Sequence, residues 1–322
     1  MDLRVMLEKC EREQWRVGDL DWNKQPREMS RADEIAIVQY FTDMAGIERL
    51  AGALFAQQMK NADDEVLRRI FATFVKDEVR HAHAAQMLAD FYDVHHYKTY
   101  EPNPALVRFT PHFVNAVRHL SPEIANAYIT GGELVLDVAL LRSINDYVGD
   151  EMSASAMELI NRDESRHIAM DFRMTEYYSS PEYREKLKNR PRQPLGQRVK
   201  GAWALAGVMY HAAPFFKSVF FEPMSLTDPS GRRIREAFKR MQILGTKPGV
   251  AEHPFTRFMQ ALQDLYNDHP VARLVFGRLI ERIVGIDRSL LARLYTESDR
   301  KRAARMSFDE LAEDALSAKY AA

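Results

Sequence analysis

Cysteine is almost absent from this chain. Cys10 is the one thiol in 322 residues, which excludes an internal disulfide framework and any thiolate-bound metal cluster contained in a single chain. Charge bias is lacking as well. Lysine and arginine number 45 against 46 aspartates and glutamates, so no net field favours an anionic membrane, and nucleic acid drops out as a partner. The N-terminus, MDLRVMLEKCEREQW, lacks the apolar stretch of a secretory signal, and a cytoplasmic setting is expected. An uninterrupted membrane-length run is missing too. The most apolar stretch, 202–221, approaches the ~20 residues of a span but contains His211, Pro214 and Lys217. That predicts a buried or interface helix broken near Pro214, with a membrane-surface helix as the alternative.

Strand signals are nearly absent, while long segments with little glycine carry apolar residues at three and four spacings, which predicts an all-α chain. Four helices are expected over 31–61, 63–95, 122–148 and 151–178. Breaks fall at 61–64, at the proline-bearing 97–111 and at 148–150. Two short breaks and one long one make two helical hairpins joined by a long crossover, the connectivity of a ferritin-like four-helix bundle. Residues 1–30, with Trp15 and Trp22, are expected as an arm packed outside the bundle. Residues 179–322 form a helical extension with patterns over 228–244, 254–267, 271–295 and 308–320, packed on the bundle or forming an interface. A homodimer is the expected assembly.

The most specific feature is a motif that occurs twice: Asp77-Glu78-Val79-Arg80-His81 and Asp163-Glu164-Ser165-Arg166-His167. A glutamate and a histidine three positions apart on a helix lie within about 60° of one face, so both can turn towards one metal. Each remaining helix supplies a carboxylate. Glu48 precedes Glu78 by 30 residues and Glu133 precedes Glu164 by 31, about two half-helices plus a turn, which returns the chain to the same height. Glu48, Glu78, His81, Glu133, Glu164 and His167 are therefore the expected ligands of a dinuclear site. Their neighbours on the same faces, Met44, Phe71 and Met157 among them, are apolar, and carboxylates aimed at an apolar interior require a compensating cation. Oxygen and imidazole ligation suits iron or manganese.

Metal-bound imidazoles usually donate their other N–H to a carboxylate. Asp163 is expected to reach His81, and Asp77 to reach His167, with Arg80 and Arg166 neutralising the aspartates. Asp137, the one polar residue in 134–140, follows Glu133 by a turn and is read as facing the site. There it is an extra ligand, a proton relay, an anchor for a cationic substrate or a structural hydrogen-bonding group. Asp171 poses the same question one turn after His167. His83 is expected to face away from the metals. Gly52, Phe55, Phe74, Ala85 and Ile160 either line a small apolar substrate pocket or pack the core.

Over residues 31–178 these motifs resemble the di-iron carboxylate proteins: bacterial multicomponent monooxygenase hydroxylases, ribonucleotide reductase small subunit-like oxidases and p-aminobenzoate N-oxygenase-type enzymes. The resemblance implies two iron ions, or a manganese–iron pair, that activate dioxygen with electrons from outside. Three positions depart from these relatives. Ala85 stands where the reductase subunit places its radical tyrosine, Ile160 where the N-oxygenases add a histidine, and Asp137 where the hydroxylases place a threonine. The expected activity is oxidation of a small organic substrate by hydroxylation, desaturation or N-oxygenation. The alternative is a ferroxidase or iron-handling protein. No glycine-rich dinucleotide fingerprint occurs and cysteines are too few for an iron–sulfur cluster, so a separate reductase or ferredoxin is expected as electron donor.

Overall fold

The computed structural model describes residues 1–119, 121–189, 194–271 and 288–321, and among them there are helices but no strands. In chain order the helices are α1 (Leu3–Arg12), α2 (Arg31–Asn61), α3 (Glu65–Tyr92), α4 (Pro104–Val117), α5 (Pro122–Val148), α6 (Glu151–Tyr178), α7 (Pro181–Lys188) and α8 (Leu195–Phe215). There follow α9 (Arg232–Gly245), α10 (Pro254–Asp268), α11 (Glu297–Arg305) and α12 (Phe308–Ala321). The pattern at 271–295 lies for its greater part outside the described residues, and of the rest Val271 and Arg288–Leu291 are helical.

Side-chain caps set the helix ends. Ser30 accepts from the Asp33 N–H at 3.2 Å, Asp64 from Leu67 at 2.8 Å and Asp150 from Met152 at 2.8 Å, each satisfying an N–H that has no partner within its helix. The second helix is thus shorter than 63–95, because Asp64 opens it and Asp93 closes it. Gly149 ends α5 in the left-handed region at φ 57°, a conformation that costs glycine nothing.

Helix α2 packs along α3 and α5 along α6, while α2 also touches α5 and α3 touches α6. The aligned apolar faces put Phe41, Phe55, Phe71, Phe74, Leu88 and Ile160 in the interior. At Gly52 helix α2 comes close to α3, since a Cβ there would lie 3.2 Å from the Glu78 Cβ. Glu78 is held by its own helix and cannot yield, so Gly52→Val is expected to cost about 1–3 kcal/mol by overpacking. Thermal unfolding of the metal-free protein checks this, and an unchanged midpoint would contradict the close approach.

Two expectations are corrected. The break expected over 97–111 is irregular only up to Asn103, because α4 begins at Pro104 within the crossover. Pro104 sits in the first turn, where its missing N–H costs nothing, and the Asn103 side chain caps the Ala105 N–H at 2.9 Å. Nor does the apolar 202–221 segment break at Pro214. The chain runs through it and widens into a π-helical turn at Phe216–Phe221, then continues as Glu222–Thr227. A wider turn is one way to re-satisfy the backbone around an internal proline. Its outer side leaves Trp203 and Tyr210 exposed.

The extension covers the other helices: α8 lies on α4, α9 on the middle of α5, and α12 on α6. The arm places α1 on α3. One helix among the described residues is long and apolar enough to cross a membrane, α5, and 72% of its most apolar window is buried inside the protein.

Candidate metal centre

Glu48 on α2, Glu78 and His81 on α3, Glu133 on α5, and Glu164 and His167 on α6 meet in the interior, none more than 3% exposed. They form two interlocked groups. One ligand atom from each of Glu48, Glu78, His81 and Glu164 lies within 4.8 Å of the others, and the same holds for Glu78, Glu133, Glu164 and His167. Glu78 and Glu164 belong to both, so each group has two shared carboxylates, one private carboxylate and one imidazole.

The imidazoles face inward through Nδ1. His81 Nδ1 is 3.0 Å from Glu164 Oε1, and His167 Nδ1 is 3.1 Å from both Glu78 Oε1 and Glu164 Oε2. Their outward nitrogens cross to the opposite helix, with His81 Nε2 at 3.1 Å from Asp163 and His167 Nε2 at 3.4 Å from Asp77. Donating Nε2–H to an aspartate leaves the Nδ1 lone pair free for a cation.

Most of the inward atoms lack hydrogen-bond partners. Both oxygens of Glu48 and of Glu78, Glu133 Oε2, Glu164 Oε1 and His81 Nδ1 are buried without one. A buried carboxylate without a donor is costly, and four together are untenable as anions unless a cation compensates them. Each of the two groups could therefore hold a metal ion, and the mix of oxygen and imidazole suits first-row ions.

The ionisation of the metal-free centre shows the same tension. Burial, with the Glu164 charge adding to it, pushes Glu48 up to about 7, and pushes Glu78 and Glu133 well above the carboxylate range. Glu164 is pulled well below that range, because the two imidazoles outweigh the effect of its burial. Burial would lower the histidines, but Asp163 and Glu164 raise His81 to about 10, and Glu164 and Asp77 raise His167 to about 9. Raised values mean that protons are held to higher pH, whereas the ligands must be proton-free. Metal affinity should therefore rise with pH from about 7 to about 10, with net proton release. Calorimetry in buffers of different ionisation heat measures that release. A binding heat independent of the buffer would contradict it.

Behind the histidines lies a charged lattice. Asp163 accepts from Arg80 at 2.8 Å, Arg166 at 2.5 Å and the Trp15 indole at 2.8 Å, and Asp77 pairs with Arg80 and with Gln14 at 3.1 Å. Arg166 also reaches Glu13 at 2.9 Å, and Arg80 lies 5.1 Å below the Trp15 ring. Glu13, Gln14 and Trp15 have no counterpart among the expected site residues. Trp15 and Trp22 in a polar arm are the sequence signal that the arm docks on something.

No family model and no curated protein matches this chain in the comparisons made.

The other expected residues fall as follows. Phe55 and Phe74 pack on the His167 ring at 4.9 and 4.2 Å between centroids, and Ala85 and Ile160 are fully buried. Gly52 lies against Glu78, and the cavity beside α5 and α6 is lined by none of these five. Asp137 is fully buried in a π-helical stretch, Leu134–Leu141, directly after Glu133, and belongs to neither ligand group. His83 is exposed. Asp171 is fully buried, and neither of its oxygens has a hydrogen-bond partner.

Proposed function

We propose that this chain is a ferritin-like di-iron protein whose centre activates dioxygen to oxidise a small organic substrate. The observation that carries the reading is the pair of four-residue groups sharing Glu78 and Glu164, because shared carboxylates are what hold two ions together rather than one. Helices α2, α3, α5 and α6 then serve as two hairpins with α4 in the crossover, matching the ferritin-like order. Two iron ions, or a manganese–iron pair, would be held by Glu48 and His81 on one side, Glu133 and His167 on the other, and Glu78 and Glu164 between, and would supply reaction with dioxygen.

The protein's own part is orientation, insulation and proton handling. Asp163 and Asp77 fix the imidazole rings, and Arg80 and Arg166 keep those aspartates anionic. Phe55 and Phe74, packed on the His167 ring, exclude water from that side. Asp137, buried one turn beyond Glu133, is the group assigned to carry protons. Electrons come from a separate reductase or ferredoxin, and hydroxylation, desaturation and N-oxygenation are all within reach of such a centre.

The test is anaerobic loading with Fe(II) followed by oxygen, with and without added organic substrates and a chemical reductant. Iron that stays bound while dioxygen uptake grows with substrate supports an oxygenase. Ferric iron accumulating far beyond two per chain would instead make it an iron-handling protein, and failure to bind iron would remove both readings.

A further inference from the structure

A centre whose ligands are all buried needs a way in for its ions. A cavity of about 100 Å³ opens between the first turn of α5, the last turn of α6 and the 250–256 segment, lined by Glu123, Asn126, Thr175, Tyr178 and His253 among others. From it a polar seam follows facing helix positions towards the centre. On α5 it runs through Glu123, Asn126, Thr130 and Glu133, and on α6 through Tyr178, Thr175, Asp171 and His167. The spacings of three and four keep each set on one helix face. Asn126, Thr130 and Asp171 are 2%, 4% and 0% exposed.

The hydrogen bonding of this seam is unbalanced. Its donors are used: the Thr130 hydroxyl donates to the Asn126 carbonyl and the Thr175 hydroxyl to the Asp171 carbonyl, both at 2.8 Å. The Asn126 amide nitrogen reaches the Asp171 carbonyl at 3.1 Å and the Thr175 hydroxyl at 2.9 Å, which fixes the amide's orientation. Its acceptors are left over. Asn126 Oδ1, both Asp171 oxygens and Glu133 Oε2 are buried with no donor among the described residues. A proton wire would alternate donors and acceptors, whereas a row of bare oxygens suits a cation.

We infer that this cavity and the Asn126–Asp171 seam form a transit site for divalent metal ions, through which the centre is loaded. The inference rests on the centre binding metal and adds the route. Removing an oxygen that touches the passing ion should slow passage at least about ten-fold, the rate equivalent of one lost contact to a charged group.

The experiment mixes the metal-free chain with Co(II) in stopped flow and follows the visible absorption of the bound ion, then follows its loss to excess EDTA. Asn126→Leu and Asp171→Asn are expected to bind two Co(II) per chain with unchanged affinity while uptake and loss both slow by the same factor. A residue that merely supports the fold would alter affinity rather than both rates equally. Wild-type rates in both variants would overturn the route while leaving the centre intact. Loss of an ion in Asp171→Asn would overturn it by making Asp171 a ligand. Should either variant fail to fold, Thr175→Val carries the same expectation. Absence of Co(II) binding by the unaltered chain would overturn the route together with the metal centre.

Discussion

Alanine at Glu78 or at Glu164 is expected to abolish binding of both metal ions, whereas Glu48→Ala or Glu133→Ala leaves one ion per chain. The asymmetry follows from membership. Glu78 and Glu164 each belong to both ligand groups, while Glu48 and Glu133 belong to one. Removing a shared carboxylate deprives both ions of a ligand and leaves them with less negative charge between them. Circular dichroism should show each variant folded. Glu78→Gln should even stabilise the metal-free protein at neutral pH, because burial pushes the Glu78 carboxyl well above the carboxylate range and an amide needs no proton taken up on folding. Elemental analysis after anaerobic loading and gel filtration gives the stoichiometries. Equal losses for all four alanine variants would mean that the shared arrangement does not govern binding.

Asp163→Ala is expected to be the most damaging substitution outside the ligands. Asp163 faces four donors at once: His81, Arg80, Arg166 and Trp15. Without it Arg166, 1% exposed, keeps Glu13 and a longer contact to Asp77 but loses its shortest partner. Stripping one partner from a buried ion pair costs about 3–5 kcal/mol, and removing the carboxylate behind a metal-bound imidazole lowers metal affinity about 10–100-fold. Burial would raise Asp163, but His81 and Arg166 hold it well below the ordinary carboxylate range. A depressed carboxylate stabilises the fold above its unfolded value near 3.8, and that contribution is lost as the pH falls below it. The variant should thus lose stability at neutral pH and lose less in acid. Denaturant unfolding at both pH values measures the difference, and a neutral-pH loss below ~1 kcal/mol would place the lattice among ordinary surface ion pairs.

The site was more legible in the sequence than the fold around it, and the reason is locality. A glutamate and a histidine three residues apart share a helix face whatever surrounds them. Spacings of 30 and 31 residues set ligand height across a hairpin closed by Asp64 or by Gly149 and Asp150. The cross-helix contacts of His81 with Asp163 and of His167 with Asp77 follow from the two-fold repetition of the motif. Features that depend on docking leave no such trace. Residues 13–15 have no period, and only packing of the arm brings Trp15 to Asp163. Pro214 reads as a break in one dimension, but a π-helical turn after it keeps the helix running. Asn126 is an ordinary polar residue near a helix start until α6 brings Thr175 and Asp171 opposite it.

Anaerobic titration of the metal-free chain with ⁵⁷Fe(II), read by Mössbauer spectroscopy and elemental analysis, tests the dinuclear centre most directly. Saturation at two ions per chain, in mixed oxygen and nitrogen ligation and lost together on Glu164→Ala, is the predicted result. No bound iron, a single bound ion, or uptake that continues without saturating would contradict it.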